Sequence, residues 1–261
     1  MRLGIQAFHR PPPDSGPWLP SIASLRATVE LADGLGYDSI WAGDHVSFPV
    51  PFLDPLQQIA QAAAFSSRLT FGTAVYLLPL RHPAPVAKEI STLDHLTEGR
   101  LIFGVGVGGE FPKEYEVCGV PLKQRGARLG ESIEVMRKLW SGRPATHQGP
   151  FFSFSDVQMQ PPPRQEGGPP IWAGGRSDTA LARAARLADG WIGYAVTPEM
   201  YRESLDKIHA AAREAGRDIS RFGTGHLLFA CVADDYDKAF AAANDTLSRR
   251  YAMDFTRATG R

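Results

Sequence analysis

The stretch RLIFGVGVGGEF, residues 100–111, places a glycine-rich turn directly after an apolar strand. Gly104, Gly106 and Gly109 fit the spacing G-x-G-x-x-G, which binds the pyrophosphate of dinucleotides in Rossmann folds. That fingerprint opens the first βαβ unit, whereas this stretch follows the fourth predicted strand and soon meets Pro112. Three interpretations stay open: an NAD site, glycines that relieve crowding in a strand, or a strand end without side chains on which a flat ring system lies.

Strand and helix patterns alternate on both sides of this stretch. Predicted strands cover residues 2–8, 37–43, 68–78, 100–108, 170–175, 189–195 and 221–233, and predicted helices cover 21–36, 54–66, 82–99, 129–142, 177–188, 198–216 and 235–250. Repeated strand–helix units predict a parallel sheet covered by helices, as an open doubly wound sheet or as a (β/α)8 barrel. The 261 residues suit a barrel, which typically has about 250.

The predicted fold class is α/β, a (β/α)8 TIM-barrel type that lacks or shortens its eighth unit, because residues 251–261 carry no strand or helix pattern. The chain is interpreted as a single barrel domain over residues 1–261. Residues 143–169 interrupt the alternation with aromatic and polar residues, then prolines and glycines. This segment predicts a hairpin and loop inserted between two units.

Composition argues for a small-molecule partner. Lys and Arg together number 28, as do Asp and Glu, so the net charge is zero and no basic footprint for nucleic acid or anionic membrane exists. No apolar stretch reaches the length of a signal peptide core or a membrane span, which predicts a cytoplasmic location. Cys118 and Cys231 stand singly in apolar surroundings, so we predict reduced thiols and no metal site.

Side chains suited to catalysis cluster where the predicted strands end. Asp44 and His45 follow the second strand, and Glu110 follows the fourth. The carboxyl ends of barrel strands meet at one face, where active sites form. Histidine is the side chain most often used to give or take a proton in catalysis, so His45 is the predicted acid or base. His9, His82 and Glu110 are the weaker candidates.

The motif WAGGRS, residues 172–177, predicts a second part of the site. A strand ends in Gly174 and Gly175, and Ser177 is suited to cap the helix that follows. The N–H groups and dipole of that helix, together with the Arg176 guanidinium, form an anion site, most simply for phosphate. The alternative is an ordinary capped helix with Arg176 in solvent.

Four motifs in this order resemble the luciferase-like monooxygenase family, most closely its short branch that depends on coenzyme F420. They are WAGDHVSFP, GTAVYLLPLRHPAPVAKEISTLDHLTEGRLIFGVGVG, QRGARLGESIEVMRKLWSG and PIWAGGRSDTALARAARLADGWI. The resemblance implies a (β/α)8 barrel, a deazaflavin or flavin in its mouth, and two-electron chemistry. Coenzyme F420 is the implied cofactor, with FMN as the alternative, and a homodimer is the implied assembly.

The resemblance also implies roles for individual residues. Asp44 matches a residue that contacts the deazaflavin, His45 matches a proton-transferring histidine, and Glu110 matches a glutamate after strand four. The third-strand bulge, which in this family often contains a non-proline cis peptide, matches Ala74 and Val75. The remaining implied cofactor contacts lie after strand four and in the phosphate loop: Gly106, Val107, Gly108, Gly109, Ala173, Gly174, Gly175, Arg176 and Ser177.

Three functions are compatible with these residues. The first is hydride transfer between coenzyme F420 and a small organic substrate. The second is an FMN-dependent monooxygenase on the same fold. The third, from another class, is a non-catalytic cofactor-binding or truncated homologue.

Overall fold

A computed structural model describes residues 1–6, 20–48 and 51–251. The candidate His9 and the tail from residue 252 lie outside these residues. The described chain forms two compact units by internal contacts, residues 1–225 and residues 226–261. The interpretation of the whole chain as one barrel domain stays a prediction.

The described strands are β1 (Gly4–Gln6), β2 (Ser39–Ala42), β3 (Thr70–Thr73), β4 (Leu101–Val105), β5 (Ala145–Gln148), β6 (Ser153–Val157), β7 (Ile171–Gly174), β8 (Gly190–Tyr194) and β9 (Gly223–Leu227). Seven of them form one sheet in the order β1-β2-β3-β4-β7-β8-β9, and the pairs from β1 through β8 run parallel. This confirms the α/β class and the order of the predicted strands. Closure into a full (β/α)8 barrel stays a prediction. The predicted strand 221–233 is regular only over β9.

The described helices are α1 (Ile22–Gly34), α2 (Pro55–Ala63), α3 (Pro83–Leu96), α4 (Pro112–Val117), α5 (Arg125–Trp140), α6 (Asp178–Leu187), α7 (Pro198–Glu214) and α8 (Tyr236–Tyr251), with 3₁₀ turns at Leu78–Leu80 and Leu122–Gln124. Side-chain caps begin five of them, because each of the following residues accepts a backbone N–H of the first turn: Ser21, Asp54, His82, Ser177 and Thr197. The short helix α4 was not predicted from the sequence. Within the described residues, no helix is long and apolar enough to cross a membrane.

The helix α3 is closed by a turn that contains Gly99, the last residue of the predicted helix 82–99. The helix stops at Leu96, and Glu98 and Gly99 both adopt positive φ, at 54° and 79°. The N–H of Gly99 then donates to the carbonyl of Asp94 at 2.8 Å. Gly99 therefore belongs to the turn that closes the helix, as glycines after helix ends commonly do.

The core of the sheet unit lies between the strands and the helices that cover them. Val29, Ile59 and Ile90 on the three first helices are fully buried, as are Phe71 and Phe103 on β3 and β4. This packing holds the strands in parallel register, and it brings their carboxyl ends to one edge of the sheet.

Residues 143–169, the predicted insertion, contain an antiparallel hairpin in which β5 pairs with β6. A buried pair ties it to α5: Nε2 of His147 lies 3.2 Å from a carboxylate oxygen of Glu131. The same carboxylate accepts the backbone N–H groups of Phe151 and Phe152. The hairpin is thus fixed to the outer helix layer.

Candidate active site

The strand ends that were predicted to carry chemistry lie at one edge of the parallel sheet. The segment after β3 leaves the regular strand there and bonds to both neighbours. The N–H of Ala74 donates to the carbonyl of Ala42 at the end of β2, and the N–H of Tyr76 donates to the carbonyl of Gly104 on β4, each at 2.8 Å. The Ala74–Val75 peptide is cis, so the predicted bulge with a non-proline cis peptide is present. The amide of Gln6, at the end of β1, donates to the Ala74 carbonyl at 3.3 Å.

The glycines of β4 and β7 make room for the segment that follows β3. A Cβ on Gly106 would lie 2.3 Å from Cγ2 of Val75, and a Cβ on Gly174 would lie 2.9 Å from its Cγ1. On Gly104, a Cβ would lie 1.8 Å from the carbonyl oxygen of Thr73. Distances below 3 Å mean overlap, so these glycines relieve crowding between strands. Gly104 lies on the fourth strand and Gly106 directly after it, and neither lies in the first βαβ unit. Their place in the sheet argues against the Rossmann interpretation.

The turn after β4 continues along the same edge. Gly108 and Gly109 have φ of 56° and 107°, a conformation that favours glycine. The Val107 carbonyl between strand and turn accepts the hydroxyl of Tyr115, whose burial raises its pKa to about 12. A contact of Gly106, Val107, Gly108 or Gly109 with a cofactor stays a prediction.

His45 pairs with Glu114, a residue of the short helix α4. Nδ1 of His45 lies 3.2 and 3.1 Å from the two carboxylate oxygens of Glu114. The same carboxylate accepts the backbone N–H groups of Val46 at 2.7 Å and Ser47 at 3.2 Å. Glu114 is 1% exposed, while His45 is partly exposed. The carboxylate therefore anchors both the imidazole and the chain that follows it.

The electrostatics of this pair keep Glu114 ionised. Burial by itself raises the pKa of the Glu114 carboxyl, but the hydrogen bond and charge of His45 and the two backbone N–H groups outweigh it, so the pKa is lowered. An ionised partner at Nδ1 favours a proton on that nitrogen and leaves Nε2 to exchange one. Within the described residues, Nε2 of His45 makes no hydrogen bond.

Aromatic rings surround the His45 imidazole on its remaining sides. Phe48 stacks on it with ring centroids 3.9 Å apart at 19°, and Phe52 meets it edge-on at 4.7 Å. Phe111, from the turn after β4, meets Phe48 at 5.4 Å. Offset and edge-on contacts of this kind hold the rings in fixed orientations. The surroundings of the predicted acid or base are therefore largely apolar.

Asp44 pairs with Arg81, whereas its neighbour His45 pairs with Glu114. Asp44 is 3% exposed. Its carboxylate accepts hydrogen bonds from both terminal nitrogens of Arg81, one of them at 2.9 Å, and from the N–H of Leu77 at 2.8 Å. Burial raises the pKa of Asp44, and the Arg81 charge and hydrogen bonds oppose that rise. Arg81 lies over the Tyr76 ring at 4.3 Å. Asp44 thus fixes the segment after β3, and its contact with a cofactor stays a prediction.

Glu110 and Arg176, from the turns after β4 and β7, meet around Tyr194 at the end of β8. The Tyr194 hydroxyl donates to Glu110 at 3.1 Å, and the Arg176 guanidinium lies over the Tyr194 ring at 5.6 Å. Arg176 also donates to the carbonyl of Ala195 at 3.1 Å. Glu110 therefore lies beside Tyr194 at the end of β8, and Arg176 is held by Tyr194 and the Ala195 carbonyl.

The predicted phosphate loop has the helix start that was expected. Ser177 caps α6 by accepting the N–H of Ala180 at 3.3 Å, and Gly175 has φ of 121°. The Gly175 carbonyl accepts the indole N–H of Trp191 at 2.7 Å, which fixes the loop after Ala173 and Gly174. Anion binding at this loop stays a prediction.

Two residues of the site were missed from sequence: Glu114 and Arg81. Glu114 stands in an unpredicted helix and 69 residues from its partner. Arg81 is a single cation inside the apolar run VYLLPLRHP, and that isolation is a usable signal for a buried partner. His82, a weaker candidate, caps α3 by accepting the N–H of Ala84 at 3.2 Å. A cleft lined by Ser66, Glu98 and Arg100 lies at the amino ends of the strands, away from this site.

Comparison with known proteins identifies the family to which the chain belongs. The family model described as luciferase-like monooxygenase matches residues 1–260. A phthiodiolone/phenolphthiodiolone dimycocerosates ketoreductase from Mycobacterium tuberculosis (strain ATCC 25618 / H37Rv) is 31% identical over 225 residues, which are 77% of this chain and 58% of that enzyme.

Two solved structures share the fold over almost the whole chain. A monooxygenase from Streptomyces bottropensis superposes with a TM-score of 0.83 at 26% identity, over 99% of this chain and 82% of its own. An F420-dependent secondary alcohol dehydrogenase, solved with an F420–acetone adduct, gives 0.80 at 25%, over 93% and 73%. The chain belongs to the luciferase-like monooxygenase family.

Proposed function

We propose that this protein transfers a hydride between coenzyme F420 and a carbonyl/alcohol pair of a small organic substrate. The observation that carries the proposal is the His45–Glu114 pair at the carboxyl end of β2, with Nδ1 of His45 held 3.1 Å from the carboxylate. The activities named for two similar proteins support it: one is a ketoreductase, and the other is an F420-dependent secondary alcohol dehydrogenase.

The proton-transfer step follows from the tautomer that Glu114 favours. Loss of a hydride from the carbon of an alcohol must be accompanied by loss of the hydroxyl proton. Nε2 of His45 takes that proton, and the resulting imidazolium is stabilised by the Glu114 carboxylate at Nδ1. In the reverse direction the same nitrogen returns the proton to the carbonyl oxygen. Glu114 acts as the positioning residue in both directions.

The residues at the strand ends fit a flat tricyclic ring. Val75 is seated on Gly106 and Gly174, which carry no side chains of their own at this edge of the sheet. Ala74, Val75, Gly106, Val107, Gly108 and Gly109 would hold the ring, and Ala173, Gly174, Gly175, Arg176 and Ser177 would border its phosphate-bearing tail. When bound, the deazaflavin supplies or accepts the hydride.

The aromatic residues favour an uncharged substrate. Phe48, Phe52 and Phe111 form the wall beside His45, and a charged substrate group would lose hydration there without gaining a partner. Short apolar alcohols and ketones would instead gain by burial.

The test titrates the purified protein with F420, FMN and NADH while fluorescence is followed. F420 is expected to bind most tightly, and propan-2-ol or a homologous alcohol is expected to reduce it. Preferred binding of NADH, or F420 binding without turnover of any alcohol or ketone, would contradict the proposal.

An FMN-dependent monooxygenase is the second candidate, because the Streptomyces bottropensis monooxygenase superposes over 99% of the chain. It predicts tighter binding of FMN than of F420 and oxygen uptake by the reduced complex. An oxygen electrode, with and without an aldehyde or ketone, separates the two candidates.

A further inference from the structure

Two tryptophans lie on the face of the sheet opposite to its packed core. Trp41 on β2 and Trp172 on β7 each follow an isoleucine, Ile40 and Ile171, that is fully buried in the core beneath the helices. Successive side chains of a strand point to opposite faces, so both indoles point away from that core. Both tryptophans are partly exposed.

The two indoles meet although two strands separate them. β3 and β4 lie between β2 and β7 in the sheet, yet the ring centroids of Trp41 and Trp172 are 5.8 Å apart. Adjacent strands are about 4.8 Å apart, so the indoles can meet only by leaning towards each other over a curved face. Gly72, the register partner of Trp41 on β3, and Gly104, the register partner of Trp172 on β4, place no side chains between them.

Glycines make room for both indoles. A Cβ on Gly72 would lie 2.4 Å from Cζ3 of Trp41, and a Cβ on Gly190 or Gly223 would lie 2.6 or 2.2 Å from the indole of Trp172. Such distances mean overlap, so these strands accept glycine where an indole covers them. Two large rings therefore fill this level of the concave face in place of side chains from β3, β4, β8 and β9.

The indole pair lies one level below the segment that would hold the cofactor ring. Gly174, on which Val75 is seated, follows Trp172 by two residues on the same face of β7. Two residues of a strand span about 6–7 Å. On β1, Gln6 is the register partner of the other tryptophan, and its amide donates to the Ala74 carbonyl at 3.3 Å. A ligand that enters from the carboxyl ends of the strands therefore meets the two indoles as a floor.

We propose that Trp41 and Trp172 limit the length of the substrate, because they close the pocket towards the amino ends of the strands. A short alkyl chain lies against the apolar ring faces, whereas a longer chain overlaps them. The substrate class is then short secondary alcohols and the matching ketones. This inference rests on the proposed function for the reaction, and the position of the floor rests on the two indoles.

The test measures chain-length profiles of Trp41→Leu and Trp172→Leu beside the wild type. Reduction of F420 by alkan-2-ols from propan-2-ol to hexan-2-ol gives kcat/KM, and calorimetry with the matching alkan-2-ones gives binding without turnover. One methylene group in an apolar pocket changes specificity by about 10- to 200-fold. Each variant is therefore expected to raise kcat/KM for hexan-2-ol relative to propan-2-ol by at least about 10-fold, and to bind hexan-2-one more tightly by a similar factor.

Trp140→Leu is the matched control, because it removes the same ring from the helix layer. Trp140 is buried on α5, and its indole N–H donates to the Ala87 carbonyl on α3 at 3.0 Å. The control is expected to leave the chain-length profile unchanged. Thermal unfolding establishes that each variant is folded, and Trp41→Phe and Trp172→Phe, with smaller expected shifts in the same direction, replace a leucine variant that does not fold.

The outcomes separate this inference from the proposed function. A profile that is unchanged in the variants of Trp41 and Trp172, or that shifts equally in the Trp140 control, overturns the floor while turnover of short alcohols upholds the proposed function. If the wild type reduces F420 with no alcohol, the proposed function fails and calorimetry decides the floor. Tighter binding of hexan-2-one by the variants of Trp41 and Trp172 then supports it. Equal binding to the wild type and these variants, or binding to none of them, overturns it.

Discussion

Replacing Glu114 by glutamine removes a negative charge while it keeps the size of the side chain and one acceptor oxygen. Three donors converge on the wild-type carboxylate: Nδ1 of His45 at 3.1 Å and the N–H groups of Val46 at 2.7 Å and Ser47 at 3.2 Å. Hydrogen bonds to a charged group contribute about 1.5–3 kcal/mol, and neutral ones about 0.5–1.5 kcal/mol. A loss of about 1 kcal/mol at each donor predicts a free energy of unfolding lowered by about 3 kcal/mol at pH 7.

The sign of the pH dependence follows from the lowered pKa of Glu114. A carboxyl whose folded pKa is lower than its unfolded pKa stabilises the fold fully above its ordinary value of 4.5. That contribution is lost as the pH falls through the folded pKa. The wild type and Glu114→Gln are therefore expected to differ most near neutrality and to converge in acid.

Urea unfolding at pH 7 and at the lowest pH at which both proteins are folded measures this difference. Glu116→Gln is the matched control, because Glu116 lies on the same helix but its carboxylate is exposed and pairs with the exposed Lys113. Exposed pairs contribute about 0–1 kcal/mol, so the control should change little. A Glu114→Gln loss equal to that of the control, or one that does not shrink in acid, would refute the reasoning.

Three further perturbations test other parts of the site. His45→Ala should lower turnover of F420 by about 10²- to 10⁴-fold while F420 affinity, followed by fluorescence, changes little; parallel losses would instead make His45 a binding residue. Arg81→Met should destabilise the fold by about 3–5 kcal/mol in urea, because it leaves the Asp44 carboxylate buried without its partner, and Asp44→Asn in the same chain should restore part of that loss. Gly106→Ala should cost about 1–3 kcal/mol through overlap with Val75, and a second change, Val75→Ala, should relieve it if the overlap is the cause.

The order of strands and the edge that carries the site were accessible from sequence, because both follow from periodicity and from parallel topology. Alternating apolar patterns located the strands that lead to His45 and Gly106, and parallel pairing then required their ends to meet. The cis peptide at Ala74 and Val75 was accessible only through resemblance to a family. Local residue preferences carry no signal for it.

The residue that pairs with His45 could not be predicted from the sequence. Three glutamates, Glu110, Glu114 and Glu116, lie within one short segment, and nothing in their spacing says which one meets His45. That selection depends on how α4 lies against the chain after β2, which is a tertiary property. The sequence likewise left two roles open for Gly106: it could relieve crowding between strands or make room for a flat ring. The position of Val75 beside Gly106 favours the first role.

Asp44 and His45 are consecutive, yet each side chain is held by a partner from a different element. The acid Asp44 is bound by Arg81 after β3, and the imidazole of His45 is bound by Glu114 on α4. The two pairs therefore attach this short segment to two different parts of the fold. Because Glu114 also accepts the N–H groups of Val46 and Ser47, the carboxylate that holds the His45 ring holds the chain directly after it as well. A side chain that transfers a proton must be held in a fixed position relative to the substrate. For His45, that position is supplied by residues that are remote from it in the sequence.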